Sequence, residues 1–275
     1  MEDKRFNTGE TQEELRSKYN PNGSTLRKAQ LRMLEILDYV AGICETNGLT
    51  YWLSGGTLLG AFRHGGFIPW DDDLDIEMPK EDYLKLRRIL LQNKDSRFQL
   101  QDHSTDSNYY YAYPKVRDTK SICTSTIDTD DKLWNMKGVW IDIFVLDRIP
   151  VPVQKFSWYA YSFGRRYLTV KKNPVFSLLQ HLRYHFCYKA LFPVLNAISQ
   201  ICKPDYLTVC LGSEYPDKRR LEEVCESTKL KFEHGEYSVP AGYEDILQRM
   251  YKFDYHLLPP PEQRGGHFMK IEFLD

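Results

Sequence analysis

Apolar residues recur at helical spacing in several stretches of this chain. In the longest stretch, from about residue 24 to Thr46, apolar residues follow one another three and four positions apart. Ser24 or Thr25 is suited to cap the start of this helix, and Asn47-Gly48 is suited to end it. The same spacing predicts shorter helices over 57–64, 81–92 and about 242–253.

Strand patterns alternate with these helices in the first half of the chain. In D-L-D-I-E-M, residues 73–78, polar and apolar residues alternate, and Pro79 ends the run. Further strands are predicted over 49–54, 98–101, 109–118, 121–126 and 138–147. This order of elements predicts an α/β or α+β fold, in which helices flank one mixed β-sheet.

The second half of the chain has a different composition. Between Arg148 and Pro204 there is no acidic residue, whereas nine residues are Lys or Arg and many are aromatic. We therefore predict three parts. Residues 1–23 form a flexible or loosely packed lead-in, 24–147 form the core domain, and 148–275 form a mainly helical, basic and aromatic part that packs on the core.

The bulk composition narrows the class of protein. The 275 residues suffice for one large domain or two small ones, and 42% hydrophobic with 27% charged residues is typical of globular proteins. A formal net charge of −1 argues against a nucleic-acid partner. The six cysteines lack C-x-x-C spacing, and the sequence has neither an apolar signal core nor an 18-residue apolar run. A cytoplasmic location with free thiols is expected.

An acidic cluster lies at W-D-D-D-L-D-I-E, residues 70–77. One interpretation is a solvated turn. A calcium loop would need Gly and Glu where the sequence has Ile76 and Asp82, so we reject that interpretation. A third interpretation is a metal site on a strand, because Asp73 and Asp75 would project from the same face. Two neighbouring carboxylates are suitable ligands for Mg²⁺ or Mn²⁺.

Two further features strengthen the metal interpretation. Asp142 lies in G-V-W-I-D-I-F-V-L-D, residues 138–147, where an aspartate is costly to bury unless it is hydrogen-bonded, paired with an arginine or bound to a metal. Upstream, Gly55-Gly56-Thr57 separates a predicted strand from a helix, and such a turn favours phosphate binding. A glycine turn, a D-x-D strand and a later strand carboxylate follow in the order typical of nucleotidyltransferase-fold enzymes.

The sequence resembles the LicD family at W-L-S-G-G-T-L-L-G-A-F-R-H-G-G-F-I-P-W-D-D-D-L-D-I, residues 52–76. The likeness extends to Y-P-K-V-R-D-T at 113–119 and to the strand at 138–147, with a weaker echo near the C-terminus. The family includes bacterial phosphocholine transferases acting on cell-surface glycans, and the region is also similar to that of fukutin-related protein, a ribitol-phosphate transferase. The run Tyr251-Lys-Phe-Asp-Tyr255 departs from the family pattern, which leaves its contacts open.

The resemblance implies a reaction. A CDP-activated alcohol such as CDP-choline would give its phospho-alcohol group to a hydroxyl of a cell-surface glycan or its lipid-linked precursor, as in lipopolysaccharide, teichoic acid or capsule modification, and CMP would be released. Asp73 and Asp75 would hold Mg²⁺ or Mn²⁺ on the diphosphate, and Asp142 would complete the metal shell or act as a base. The Gly55-Gly56-Thr57 turn would hold a phosphate in a catalytic core of nucleotidyltransferase fold.

Four basic residues are candidate contacts of the donor. Arg63 and His64 lie between the glycine turn and the aspartates, and the alternative is a surface pair. Lys115 and Arg117 share a strand face and are suited to neutralise a diphosphate together, with a solvated strand face as the alternative.

The acid-free stretch over 148–204 has two interpretations. It is either a helical subdomain with basic residues on its solvent side, or a surface that contacts anionic lipid at the cytoplasmic face of a membrane. His181 and His185 have i, i+4 spacing, but without a third ligand we interpret them as helix-surface residues. Asp71 and Asp72 are either partners of the metal ligands or turn caps.

Two other functions compete with phospho-alcohol transfer. One is transfer of a nucleotidyl group itself to a small molecule. The other is a non-catalytic glycan- or lipid-binding protein of the same fold. Three costly carboxylates are unnecessary in a binding module, so the sequence favours an enzyme.

Overall fold

The computed structural model describes residues 6–93, 96–125, 133–163, 174–251, 254–265 and 269–274. The α-helices are α1 (Gln12–Tyr19), α2 (Thr25–Asn47), α3 (Gly55–His64), α4 (Lys80–Gln92), α5 (Val151–Ser162), α6 (Pro174–Phe186), α7 (Phe192–Cys202), α8 (Leu221–Val224) and α9 (Tyr243–Met250). The strands are β1 (Trp52–Leu53), β2 (Asp75–Pro79), β3 (Phe98–Gln101), β4 (Lys115–Asp118), β5 (Ser121–Ser125), β6 (Trp140–Asp147), β7 (Tyr206–Val209), β8 (Arg219–Arg220), β9 (Ser227–Phe232), β10 (Gly235–Pro240) and β11 (Met269–Phe273). A π-helical turn at Cys187–Leu191 joins α6 to α7, and Pro261–Gln263 is a 3₁₀ turn.

One mixed sheet forms the centre of the molecule. Its strands run in the order β1-β2-β6-β4-β3, and β7 and β8 extend it from β6. β2 and β6 are parallel neighbours, whereas the other pairings in this sheet are antiparallel. Ile76 and Ile143 pair across the two parallel strands and are fully buried, since helices cover the sheet. The predicted α+β fold is confirmed.

Helix α2 shows how sequence signals set an element. The Ser24 hydroxyl accepts a hydrogen bond from the backbone N–H of Arg27, at 3.1 Å, and Gly48 ends the helix in the left-handed conformation with φ +62°. Ile36, Leu37 and Val40 are fully buried on its core face. The start and end of this helix agree with the sequence prediction to within one residue.

Within the lead-in, Phe6 packs against the main core and helix α1 is ordered from Gln12 to Tyr19. Thr11 and Glu14 form a reciprocal cap at the start of α1, each side chain accepting from the other's backbone N–H. Leu15 is fully buried in the main core. Because this stretch is mostly polar, its sequence did not reveal that Leu15 attaches a well-capped helix to the core.

The part after residue 147 begins with helices as far as Cys202, and beyond that point strands alternate with the short helices α8 and α9. β7, β8, β9 and β10 lie between Tyr206 and Pro240, and the β9–β10 hairpin buries Phe232 and Val239 in the main core. β11 returns to pair with β5. Runs such as S-T-K-L-K-F alternate polar and apolar residues over only four positions, a short signal that the sequence analysis did not use to predict a strand.

The helical segment of α5, α6 and α7 has a small core of its own. Tyr161, Phe192 and Leu195 pack together there with Ile149. Residues 164–173 of the basic aromatic stretch lie outside the described residues. Within the described ranges, the helices are all too short or too polar to cross a bilayer.

Candidate active site

Three neighbouring strands bring charged side chains together at the centre of the sheet. Asp75 on β2 is paired in register with Asp142 on the parallel strand β6, and Asp142 is paired with Lys115 on β4. Residues paired in this way project from the same face. Two carboxylates and one ammonium therefore meet on adjacent strands, although they come from positions far apart in the chain.

The loop before β2 adds two more carboxylates. The strand begins at Asp75 rather than at Asp73, so Asp73 approaches from this loop and the expected strand over 73–78 is corrected at its start. Burial, and then the charge of Asp73, raises the pKa of Asp71. Burial, and then the charges of Asp73, Asp142 and Asp71, raises the pKa of Asp75, against the opposing effect of Lys115. The aspartates thus form one repelling cluster.

The two glycines of Gly55-Gly56-Thr57 open helix α3 directly beside this cluster, instead of forming a separate turn before the helix. A Cβ atom at Gly55, which has φ +52°, would lie 3.1 Å from Asp75 Oδ2, and one at Gly56 would lie 2.6 Å from Asp71 Oδ2. The Thr57 hydroxyl accepts a hydrogen bond from the Asp75 N–H at 2.9 Å. The glycines allow the helix start and the carboxylates to approach, and the positive end of the helix dipole favours nearby anions.

Asp142 has two fixed partners. Lys115 Nζ forms a short ion pair with Asp142 Oδ1, and Trp140 Nε1 donates to Asp142 Oδ2 at 3.1 Å. Burial lowers the pKa of Lys115. Arg117 lies on the same face of β4, but it is 2% exposed, and its guanidinium donates to Gln101 and to the carbonyl of Gly138. Of the two basic residues, Lys115 contacts the carboxylates and Arg117 makes internal contacts.

Arg63 and His64 connect α3 to distant parts of the chain. Arg63 donates to His64 Nε2 at 3.0 Å and to the carbonyl of Leu257 at 2.9 Å. Because His64 Nε2 accepts, Nδ1 carries the proton and donates to Gln12 Oε1 at 2.7 Å. Burial lowers the pKa of His64 to about 3, so its imidazole is neutral. These contacts are internal, and a contact of either residue with a donor stays a prediction.

Glu77 occupies the strand position two residues after Asp75, yet it has a different role. Arg219 holds it through a two-pronged ion pair, with nitrogen–oxygen distances of 2.9 and 2.5 Å. Ser54 Oγ donates to the same carboxylate at 2.7 Å. Glu77 is therefore neutralised and joins β2 to β8, which separates it from the repelling aspartates.

Two tyrosines that the sequence analysis did not predict as site residues lie beside the cluster. Burial, and then the charges of Asp71 and Asp75, raises the pKa of Tyr251. Burial, and then the charges of Glu214, Asp75 and Asp142, raises the pKa of Tyr215. Tyr251 opens the run that departs from the family pattern, and its hydroxyl lies within the electrostatic influence of the acidic cluster. Only the fold of the chain brings these residues to the aspartates.

The cluster fits a divalent cation. Asp71 and Asp75 combine burial with repulsion from each other and from Asp73, which is the reason that the pKa values of Asp71 and Asp75 are raised. Carboxylate oxygens are the ligands that Mg²⁺ and Mn²⁺ prefer, and a divalent ion would relieve the repulsion.

The sheet, the glycine-rich start of α3 and the carboxylates of two parallel strands together define a nucleotidyltransferase-like α+β domain. Residues 48–144 match the family model described as LicD/FKTN/FKRP, nucleotidyltransferase domain. The resemblance at 52–76 is thus confirmed by a match to the LicD family model.

Several curated proteins are similar to this chain. The lipopolysaccharide cholinephosphotransferase LicD of Haemophilus influenzae is 29% identical over 277 aligned positions, covering 91% of this chain and 98% of the relative. The ribitol 5-phosphate transferase FKRP of Homo sapiens is 54% identical over 48 residues, which are 18% of this chain and 10% of that protein. The mannosyltransferase regulator 4 of Saccharomyces cerevisiae is 30% identical over 82 residues, 30% of this chain and 7% of the relative.

Proposed function

We propose that this protein is a metal-dependent transferase. It moves a phospho-alcohol group from a CDP-activated donor to a hydroxyl of a glycan or a lipid-linked glycan precursor, and CMP is released. The observation that carries the proposal is the pairing of Asp75 and Asp142 on adjacent parallel strands, beside the glycine-rich start of α3. The Haemophilus influenzae relative, aligned over nearly all of both chains, supports phosphocholine as the group and a lipopolysaccharide as the acceptor.

The residues of the cluster have distinct parts in this proposal. Asp73 and Asp75 would hold Mg²⁺ or Mn²⁺, and a bound divalent ion offsets the negative charge of the donor diphosphate. Lys115 and Trp140 fix the orientation of Asp142, which suits either a metal ligand or a base aimed at the acceptor hydroxyl. Gly55 and Gly56 leave room for Asp75 and Asp71 against the start of α3, whose positive end would favour a phosphate group.

Aromatic rings near Asp142 offer a site for a quaternary ammonium group. The ring of Phe144 lies 4.9 Å from that of Tyr113 and 5.1 Å from that of Tyr215. The negative charges of Asp75 and Asp142 also help to raise the pKa of Tyr215. Faces of aromatic rings attract cations such as choline, so these three rings support phosphocholine as the transferred group.

Product analysis tests the proposed reaction. The protein is incubated with CDP-choline and a lipopolysaccharide acceptor, with and without Mg²⁺, and both products are identified by mass spectrometry. We expect CMP together with a phosphocholine-modified acceptor, and loss of both products without Mg²⁺ or in Asp75→Asn. A nucleotide attached to the acceptor would instead support nucleotidyl transfer and overturn the proposal.

The helical segment supports a lipid-facing role. Of the 17 large hydrophobic side chains that are exposed in the described residues, 11 lie between Phe156 and Ile201. The stretch over 148–204, which includes these 11 side chains, contains nine Lys or Arg residues and no acidic residue. Exposed apolar side chains combined with positive charge are suited to anionic lipid headgroups, and we propose that this face meets the membrane that carries a lipid-linked acceptor.

A further inference from the structure

Three histidines from two distant segments meet at the edge of the helical segment. His181 and His185 are one turn apart on α6, and His103 lies in the loop after β3. Their nearest ring nitrogens all lie within 4.8 Å of one another. The i, i+4 pair that looked like two surface residues in the sequence therefore has the third imidazole that a metal site requires.

The hydrogen bonding of His103 prepares it as a ligand. Its Nδ1 lies 3.2 Å from the carbonyl oxygen of Tyr109, and a carbonyl oxygen only accepts, so Nδ1 carries the proton. Nε2 then has a free lone pair. Metal-bound histidines typically donate their second ring N–H to a backbone carbonyl or a carboxylate in this manner, which fixes the ring and its tautomer.

Among the described residues, the group that could share one metal ion consists of these three imidazoles. The neighbouring carboxylate of Asp102 is already engaged, since it accepts from Arg87 Nε at 2.8 Å and from the backbone N–H of Ser104 at 2.8 Å. Three imidazoles, with no fourth ligand from the described part of the chain, resemble the donor set of zinc sites that keep one position for water.

We propose that His103, His181 and His185 bind a Zn²⁺ ion. Zinc–nitrogen bonds of about 2.0–2.1 Å place tetrahedral ligand nitrogens about 3.3 Å apart. Small rotations about the side-chain torsions of His181, which is exposed on α6, would bring the nitrogens to this spacing. The imidazole donor set distinguishes this site from the carboxylate cluster, which selects Mg²⁺ or Mn²⁺.

The zinc ion would tie the helical segment to the core. A cavity of about 420 Å³ lies between them, and His103 and Tyr184 both line it. The ring of Tyr184 on α6 already lies 3.7 Å from that of His103, measured between centroids. A metal bound at this point would fix one wall of the cavity, because the loop and α6 would share an ion.

The test measures zinc directly. Tag-free full-length protein is stripped of metal, and Zn²⁺ or Co²⁺ is titrated in excess Mg²⁺ by calorimetry and by Co²⁺ absorption. We expect wild type to bind one equivalent more than His103→Gln or His181→Gln, with the visible bands of tetrahedral Co²⁺ and a rise in Tm on zinc addition. His234→Gln, which changes an exposed histidine elsewhere, is expected to match wild type.

Two results would overturn the proposal. One is zinc binding with equal stoichiometry in wild type and in both variants, and the other is the absence of zinc binding by wild type. Because His181 is exposed, the His181→Gln variant is expected to keep the wild-type circular dichroism spectrum, so a loss of binding reports on the ligand. The measurement involves neither donor nor acceptor and is independent of the proposed transferase activity.

Discussion

At the scale of single residues, the short distance between helix α3 and the aspartates limits the size of the side chains that the site accommodates. Gly56 and Asp71 lie so near to one another that a methyl group on the glycine would overlap the carboxylate, at 2.6 Å. The raised pKa values of Asp71 and Asp75 have the same origin, since burial and crowding act together there. Each of these features gives a measurable consequence.

Gly56→Ala is expected to reduce CMP release at least tenfold, because the added methyl displaces Asp71 and overpacking of this kind costs about 1–3 kcal/mol. The rate is measured at saturating donor, and the free energy of unfolding is measured by urea titration. Gly42→Ala is the matched control, since a Cβ at Gly42 on α2 meets nothing within 4 Å. Wild-type turnover in Gly56→Ala would contradict the proposed position of the helix start.

Binding of Mg²⁺ is expected to strengthen as the pH rises. The folded protein holds protons on Asp71 and Asp75 above their usual pKa range, and the metal binds the ionised carboxylates, so binding releases protons. By the same linkage, the metal-free protein loses stability as the pH rises through these raised pKa values. Calorimetry in buffers of different ionisation enthalpy measures the protons released, and Asp75→Asn is expected to release fewer.

Tyr215→Ala is expected to weaken use of CDP-choline by about tenfold while CDP-ribitol is used as before, because a cation–π contact contributes about 1–2 kcal/mol to a quaternary ammonium group. The ratio of kcat/KM for the two donors is the measurement. Tyr215→Phe keeps the ring and serves as the control. If both donors lose the same factor, Tyr215 does not recognise the ammonium group.

At the scale of elements, buried ion pairs hold the strands in register around the site. Glu77 and Arg219 join β2 to β8, and both side chains are nearly inaccessible. The start of α2 is held to the core in a similar way, because Arg27 pairs with the half-buried Glu233 of the β9–β10 turn at 2.6 Å. The Glu77–Arg219 pair positions β2, and thereby Asp75.

Glu77→Gln is expected to lower the free energy of unfolding by about 3–5 kcal/mol, because it leaves the Arg219 guanidinium buried without its counter-charge. Urea unfolding followed by circular dichroism measures the change. Glu45→Gln removes an exposed pair with Lys229 and is expected to cost at most about 1 kcal/mol. Similar losses in the two variants would contradict the structural role assigned to Glu77.

At the scale of the whole molecule, the acidic cluster and most of the exposed apolar surface belong to different parts of the chain. The aspartates lie in the sheet of the core, whereas most exposed apolar side chains lie on α5, α6 and α7. This division suits an enzyme that carries its reaction centre on one part and its contact with an acceptor-bearing surface on another.

Binding to anionic vesicles is expected, with affinity that falls as salt is added, because the segment is basic and acid-free. Replacing the exposed Leu182 and Phe186 with serine is expected to reduce vesicle binding several-fold in a co-sedimentation assay. Leu31→Ser, which changes an exposed leucine on α2, serves as the control. Wild type that fails to sediment with anionic vesicles would remove the membrane proposal.

Much of the local structure followed from the sequence. Periodicity and capping residues located α2 and β3, and Pro79 marked the junction of β2 and α4. The sequence analysis missed elements with a short pattern, such as β9, which has only four alternating positions, and α1, in which Leu15 is the buried residue of a polar helix. The hydrophobic pattern of a sequence reflects only the structure that residues close together in the chain determine.

The sequence alone determined the order of the glycines, the D-x-D aspartates and Asp142, and with it the resemblance to the LicD family and the prediction of a cation. The tertiary structure decided which side chains meet. Glu77 is neutralised by an arginine 142 positions away, and Tyr251 and His103 acquire partners that no spacing predicts. The physical reason is that charge and burial depend on contacts between distant segments, which only the folded chain creates.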